Sequence, residues 1–70
     1  MPIMHNVDSR NVDSVGYEHG DLYVEFKRTH ATYVYYCVPK AIYDDLLTVT
    51  HPGQYFDEYV KKAGYKYDRL

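Results

Sequence analysis

The segment Leu22–Arg28 (LYVEFKR) alternates without a break: Leu22, Val24 and Phe26 on one side, Tyr23, Glu25 and Lys27 on the other. A period of two defines a strand with one face buried. After Thr29-His30-Ala31 the chain resumes as Thr32–Val38 (TYVYYCV), again rich in β-formers, and Pro39 stops it because it cannot donate to a ladder. If Lys27 faces Thr32 across the loop, Phe26 pairs with Tyr33, Val24 with Tyr35 and Leu22 with Cys37, and all six share an apolar face. The opposite face then carries Tyr23 with Tyr36, Glu25 with Val34 and Lys27 with Thr32. A slip by one residue would bring Glu25 and Lys27 inside, so the hydrophobic pattern determines which face is which.

This pairing divides the tyrosines. Tyr33 and Tyr35 are expected in the core beneath helices, with their hydroxyls at its rim. Tyr36 is expected to look outward beside Tyr23. Upstream, Val12, Val15 and Tyr17 lead into a further strand, and Glu18–Asp21 reads as a turn with Gly20 free to take a positive φ. If Tyr17 pairs with Leu22, Gly16 lies opposite Tyr23 and leaves a notch on the outer face. Tyr23, Val34 and Tyr36, bordered by Glu25 and Lys27, then form a candidate protein-interaction patch.

Downstream, Lys40–Val49 has helical spacing, with Ile42, Leu46 and Val49 in one stripe and Tyr43 and Leu47 on its flank. Pro39 suits the first turn of that helix. A second helix is expected from near Pro52 through Ala63, its apolar side being Tyr55, Phe56, Tyr59, Val60 and Ala63, with Gly64 at its C-terminal cap. The tail Tyr65–Leu70 alternates briefly and docks as an extra strand or an irregular edge. The expected fold class is α+β: a three-stranded antiparallel sheet packed on one face by two C-terminal helices, in the order β-β-β-α-α.

Seventy residues make one domain. A net charge of −2 argues against a large cationic footprint and leaves only a local basic face. The single Cys37 excludes an internal disulfide framework and fits a reducing cytoplasm. Neither a membrane span nor a secretory signal is apparent.

Catalytic and metal signatures are absent. His5, His19, His30 and His51 are scattered over turns and ends, without metal-ligand spacing. His51, at a helix start beside Tyr55 and Phe56, reads as a capping or packing residue. Cys37 falls on the inward face of its strand and reads as a buried, inert thiol. Asp44 and Asp45 are adjacent on a helix and point about 100° apart, so they read as a solvated face. The echo of Asn-Val-Asp-Ser at Asn6–Ser9 and Asn11–Ser14 fits no structural repeat and reads as coincidence.

Five short motifs in order resemble the KTSC domain, a small bacterial and phage domain named for its occurrence at the C-terminus of some lysyl-tRNA synthetases. They are Ser9, Asn11 and Val12; Val15-Gly16-Tyr17-Glu18; Tyr33 and Tyr35; Val38-Pro39; and Gly53, Tyr55 and Phe56. The likeness runs from about Val7 to Leu70. His51 and Asp57 depart from it, standing where Ser and Asn are common. The resemblance implies a single α+β domain without an established activity, for which RNA binding is suggested by the association with a synthetase.

The residues themselves offer a matching surface. Lys61, Lys62, Lys66 and Arg69 interleave with Tyr59, Tyr65 and Tyr67, pairing charge for phosphates with π-faces for bases. Lys27, Arg28 and Lys40 add to this surface if the fold brings them near. The leading expectation is therefore a non-enzymatic module, without cofactor or metal, that binds RNA through Lys61, Lys62, Tyr65, Lys66, Tyr67 and Arg69. The rival is a protein-interaction module, such as a phage-type modulator of a host complex, acting through Tyr23, Val34 and Tyr36.

Overall fold

The computed structural model, which describes residues 1–70, contains five strands rather than three. They are β1 (His5–Asn6), β2 (Val12–Glu18), β3 (Asp21–Phe26), β4 (Thr32–Tyr35) and β5 (Tyr67–Arg69), in that spatial order and antiparallel throughout. Between β4 and β5 come α1 (Lys40–Thr48), α2 (Pro52–Phe56) and one π-helical turn (Asp57–Lys61). The two additional strands are the edges, two and three residues long. The tail's brief alternation is that of β5, which docks as the extra edge strand, whereas β1 is too short to carry a readable period and pairs only once the central strands stand. No helix is long and apolar enough to cross a membrane.

The β2–β3 hairpin forms as the pattern demands, with Tyr17 opposite Leu22 and Gly16 opposite Tyr23. Its two turn residues, His19 and Gly20, both have positive φ, the requirement of a type I′ turn. The β3–β4 register differs from the expected one by two residues: Leu22 opposes Tyr35, Val24 opposes Tyr33 and Glu25 opposes Thr32. Lys27 explains the shift. Its N–H donates to Asn11 O at 2.8 Å and its ammonium to Ser9 O at 2.6 Å, so it is held by the segment before β2 and not by Thr32. A two-residue shift preserves side-chain parity, so the assignment of faces survives.

The helices cover the face of Leu22 and Val24. Phe56 packs edge-on against both Phe26 and Tyr35, at 5.7 and 5.4 Å between ring centroids. Val12, Val15, Leu22, Val24, Tyr35, Val38, Leu46, Phe56 and Val60 form the core. Tyr17 stacks on Tyr43 of α1 and donates its hydroxyl to Val38 O at 2.6 Å, which ties β2 to the turn that launches α1.

Four further expectations are corrected. Cys37 is exposed, with φ 56°, because the chain leaves the sheet after Tyr35; its N–H instead donates to Asp21 Oδ1. Val34 does face away from the helices, opposite Tyr23, yet only 3% of it is exposed. The notch at Gly16, on that same face, is filled by the N-terminal segment: a Cβ there would sit 2.7 Å from Met4 Sδ and 2.9 Å from the Ile3 carbonyl. The second helix is also shorter than expected. Phe56 and Val60 are buried, but Tyr59 and Ala63 are exposed, because the π turn and Gly64 (φ 87°) end the helical face early.

Candidate functional site: an aromatic cleft ringed by free cations

β5 extends the sheet past the helices, and the space between them is a cleft of about 550 Å³. Phe26, Tyr33, Tyr35 and Tyr67 line it from the sheet, Phe56 from α2, and Tyr65 from the connection to β5. The rings are organised as a continuous wall. Tyr67 lies 5.9 Å from Tyr33 and 5.3 Å from Tyr35 between centroids, and Tyr33 meets Phe26 edge-on at 5.6 Å. Register accounts for this: Tyr67 opposes Tyr35 and Arg69 opposes Tyr33, so both tail residues share the face of the central Tyr-x-Tyr.

The polar groups of the cleft are few. Arg28 and Thr29 come from the β3–β4 loop, Asn11 from the segment before β2, and Asp57 and Lys61 from the π turn. That turn is closed by Lys62 N–H donating to Asp57 O, five residues back, and such turns recur at functional sites. Tyr33, Tyr35, Tyr65 and Tyr67 donate their hydroxyls to no protein group, whereas Tyr17, Tyr36 and Tyr55 each do. Burial, with smaller effects from Tyr67, Tyr33 and Asp57, pushes the Tyr35 phenol up to about 12.

A second, more polar hollow of about 380 Å³ adjoins the cleft and shares Asn11, Gly53 and Asp57 with it. Ser9, Arg10, His51 and Gln54 complete much of its wall. Ser9 Oγ accepts the N–H groups of Asn11 and Val12, each at 3.3 Å, and a Cβ at position 53 would lie 2.7 Å from that oxygen. Glycine at 53 is therefore what lets α2 approach the start of β2. No group of three or more His, Cys, Asp or Glu side chains is placed to hold a metal ion.

The sequence-derived RNA set is divided by this geometry. Lys61, Tyr65 and Tyr67 line the cleft; Lys66 shares a shallow groove with Tyr65 and Tyr67; Arg69 lies in β5. Lys62 instead pairs with Glu58 at 3.7 Å. Of the three conditional additions, Arg28 reaches the cleft, Lys27 is bound to Ser9 O, and Lys40 pairs with Asp44 at 3.9 Å. The protein-interaction set does not form one exposed patch. Val34 is buried, Tyr23 is half-buried, and Tyr36, 36% exposed, donates its hydroxyl to Asp68 Oδ2 at 2.7 Å. Asn11, Phe26 and Asp57 join the cleft without a site role in the sequence reading: Asn11 is marked there as a motif residue, Asp57 as a departure from the motif, and Phe26 only as a core-face residue.

Residues 8–67 match the KTSC domain. The chain belongs to the KTSC family. Over 59 residues it is 34% identical to a protein of Tsukamurella paurometabola, covering 83% of this chain and 88% of that one. Its fold is that of a KTSC domain protein from Yersinia pestis whose crystal structure superposes with a TM-score of 0.87, at 24% identity, over 100% of this chain and 99% of the other. In this KTSC domain the motif residues acquire separate physical roles. Gly16 admits the N-terminal segment, Tyr17 anchors the Val38-Pro39 turn, Ser9 and Gly53 fit α2 to β2, and Tyr33 and Tyr35 form the floor of the cleft.

Proposed function

We propose that this KTSC domain binds single-stranded RNA, stacking a base in the aromatic cleft while surrounding cations contact the flanking phosphates. The observation that carries this reading is how the positive charges are distributed. The cations that have protein partners are Lys27, Lys40 and Lys62; Arg28 and Lys61, which have none, line the cleft. Arg10, Lys66 and Arg69 are likewise unpaired, and they lie in the adjoining hollow, the neighbouring groove and the adjacent strand. A protein of net charge −2 can attract a polyanion only through such a local concentration. The cleft's size falls within the ordinary range for ligand sites, roughly 300–1,000 Å³. Base-on-aromatic stacking contributes about 1–3 kcal/mol per base and tolerates any sequence.

Titration with a mixed-sequence single-stranded RNA at low salt tests the reading. Binding should weaken with added salt, with a log–log slope of roughly −0.7 per phosphate neutralised. Arg28→Ala/Lys61→Ala/Lys66→Ala should weaken binding and flatten that slope, while Lys62→Ala should leave both unchanged. Absence of binding at low salt, or equal binding by the triple variant, would sink the proposal. The rival, a protein-interaction module, has lost Val34 as a contact residue and predicts salt-insensitive capture that depends on Tyr36.

A further inference from the structure

The cleft contains one group that nonspecific RNA binding does not call for. Asp57 carries a carboxylate, follows Phe56 directly, and lines both the cleft and the polar hollow. It forms no ion pair, although Arg28 and Lys61 line the same cleft. Its proximity to the Tyr35 hydroxyl is felt in the raised pKa of that phenol. An unpaired anion in a site for a polyanion repels phosphate and weakens binding unless something else in the ligand satisfies it.

We infer that the Asp57 carboxylate reads the Watson–Crick edge of the stacked base and selects guanine; this rests on the RNA-binding reading of the cleft. An ionised carboxylate only accepts hydrogen bonds, through two oxygens. Guanine alone among the four bases presents two adjacent donors on that edge, N1–H and the N2 amino group, which match a carboxylate bidentately. Adenine and cytosine each present one donor beside a ring-nitrogen lone pair, which the carboxylate would repel. Uracil offers a single N3–H flanked by two acceptors. Guanine's O6 also requires a donor, and Asn11, which spans the cleft and the hollow as Asp57 does, carries an amide that can supply one. Arg28 and Lys61 then serve the phosphates on either side of the seated nucleotide.

The test uses uridine nonamers, either all-uridine or with one central guanosine, inosine, adenosine or cytidine, titrated against wild type and Asp57→Asn at low salt. Inosine retains N1–H and O6 but lacks the 2-amino group, so it deletes one of the two proposed hydrogen bonds. Wild type should prefer guanosine over adenosine and cytidine by about tenfold or more, with inosine between them. Asp57→Asn, at an exposed position, should retain its melting temperature, lose the guanosine-over-inosine step and bind the all-uridine nonamer at least as well as wild type. Equal binding of all central bases, or a guanosine preference that persists in Asp57→Asn, overturns the inference and leaves RNA binding standing. No binding by any nonamer overturns both.

Discussion

Two groups of tyrosines gather against the same face of the sheet and are used differently. Beneath the helices, Tyr17 stacks on Tyr43 and donates to Val38 O, and Tyr55 donates to Asp45 Oδ2 at 2.6 Å, joining α2 to α1. At the β4–β5 edge, Tyr33, Tyr35, Tyr65 and Tyr67 line an open cleft without giving their hydroxyls to the protein. The chemistry of the side chain is identical in both groups. What differs is whether a helix covers the ring: Tyr35, packed under Phe56, belongs to the core and forms only the cleft's floor, whereas Tyr33, Tyr65 and Tyr67 leave ring surface open to a ligand. Tyrosine suits both tasks because its ring packs like a core residue while its hydroxyl still needs a partner.

Truncation should separate the groups most sharply. Tyr17→Ala removes a stacked ring and orphans the Val38 carbonyl, and a loss of about 3–5 kcal/mol is expected in urea unfolding. Tyr67→Ala, at a side chain 58% exposed, should change stability by no more than about 0.5 kcal/mol, yet cost about 1–3 kcal/mol of RNA affinity. If Tyr67→Ala unfolds as readily as Tyr17→Ala, the two clusters are one core and the distinction is wrong.

Alkaline pH probes the same contrast. Tyr35 is raised to about 12 chiefly by burial, and Tyr55 to about 12 by burial and then by its hydrogen bond to Asp45. Both folded-state values lie above the ordinary tyrosine value of 10. Each neutral phenol therefore contributes stability that is complete below pH 10 and is lost as pH rises through about 12. Stability measured across that window should fall less steeply in Tyr35→Phe than in wild type. An unchanged slope would show that the Tyr35 phenol ionises as freely folded as unfolded.

Removing single hydroxyls gives a smaller, oppositely signed pair. Tyr17→Phe leaves the Val38 carbonyl without its donor and should cost about 1 kcal/mol. Tyr35→Phe deletes a partly desolvated hydroxyl that has no protein partner but still reaches solvent, and should be neutral or slightly stabilising. Matching losses in thermal unfolding would mean that the Tyr35 hydroxyl has a partner after all.

Much of this arrangement was legible in the chain itself. Alternation in Leu22–Arg28 and Thr32–Tyr35 identified the core face, because parity is preserved when register moves by two. Register itself was not legible: Lys27 is claimed by Ser9 and Asn11, distant in sequence and silent in any local pattern. Cys37 was misplaced because Pro39 marks where a strand must have stopped, not where it stops. Val34 lies in a strand paired on both sides, opposite Tyr23 and Asp68, which the pairing of β3 with β4 alone does not reveal. For the site, composition located the basic-aromatic tail but could not separate Lys61 from Lys62, since each has an acid four residues before it, Asp57 and Glu58, and only the Glu58–Lys62 pair closes. Asp57 and Asn11 converge only through tertiary packing around Gly53.

The smallest expected effect concerns what holds the cleft's outer wall. β5 is three residues long, all exposed, and pairs on one side only, with β4. Beyond that ladder its side-chain anchors are the Tyr67 ring against Tyr33 and Tyr35 and the Tyr36 hydroxyl on Asp68, which also raises the Tyr36 phenol. An exposed hydrogen bond of this kind adds little to global stability, so Tyr36→Phe should shift unfolding by less than about 0.5 kcal/mol. Opening of β5 alone is another matter, because a three-residue edge strand exchanges through local fraying and not through global unfolding. Amide exchange at Asp68 and Leu70 should therefore quicken in Tyr36→Phe while the amides of β2 and β3 stay as protected as before. RNA affinity should fall by a modest factor, since Tyr67 rides on the same strand. Equal exchange rates in variant and wild type would show that the ladder and the Tyr67 ring contacts hold the wall without the Tyr36 hydroxyl, and that the open cluster is built as firmly as the covered one.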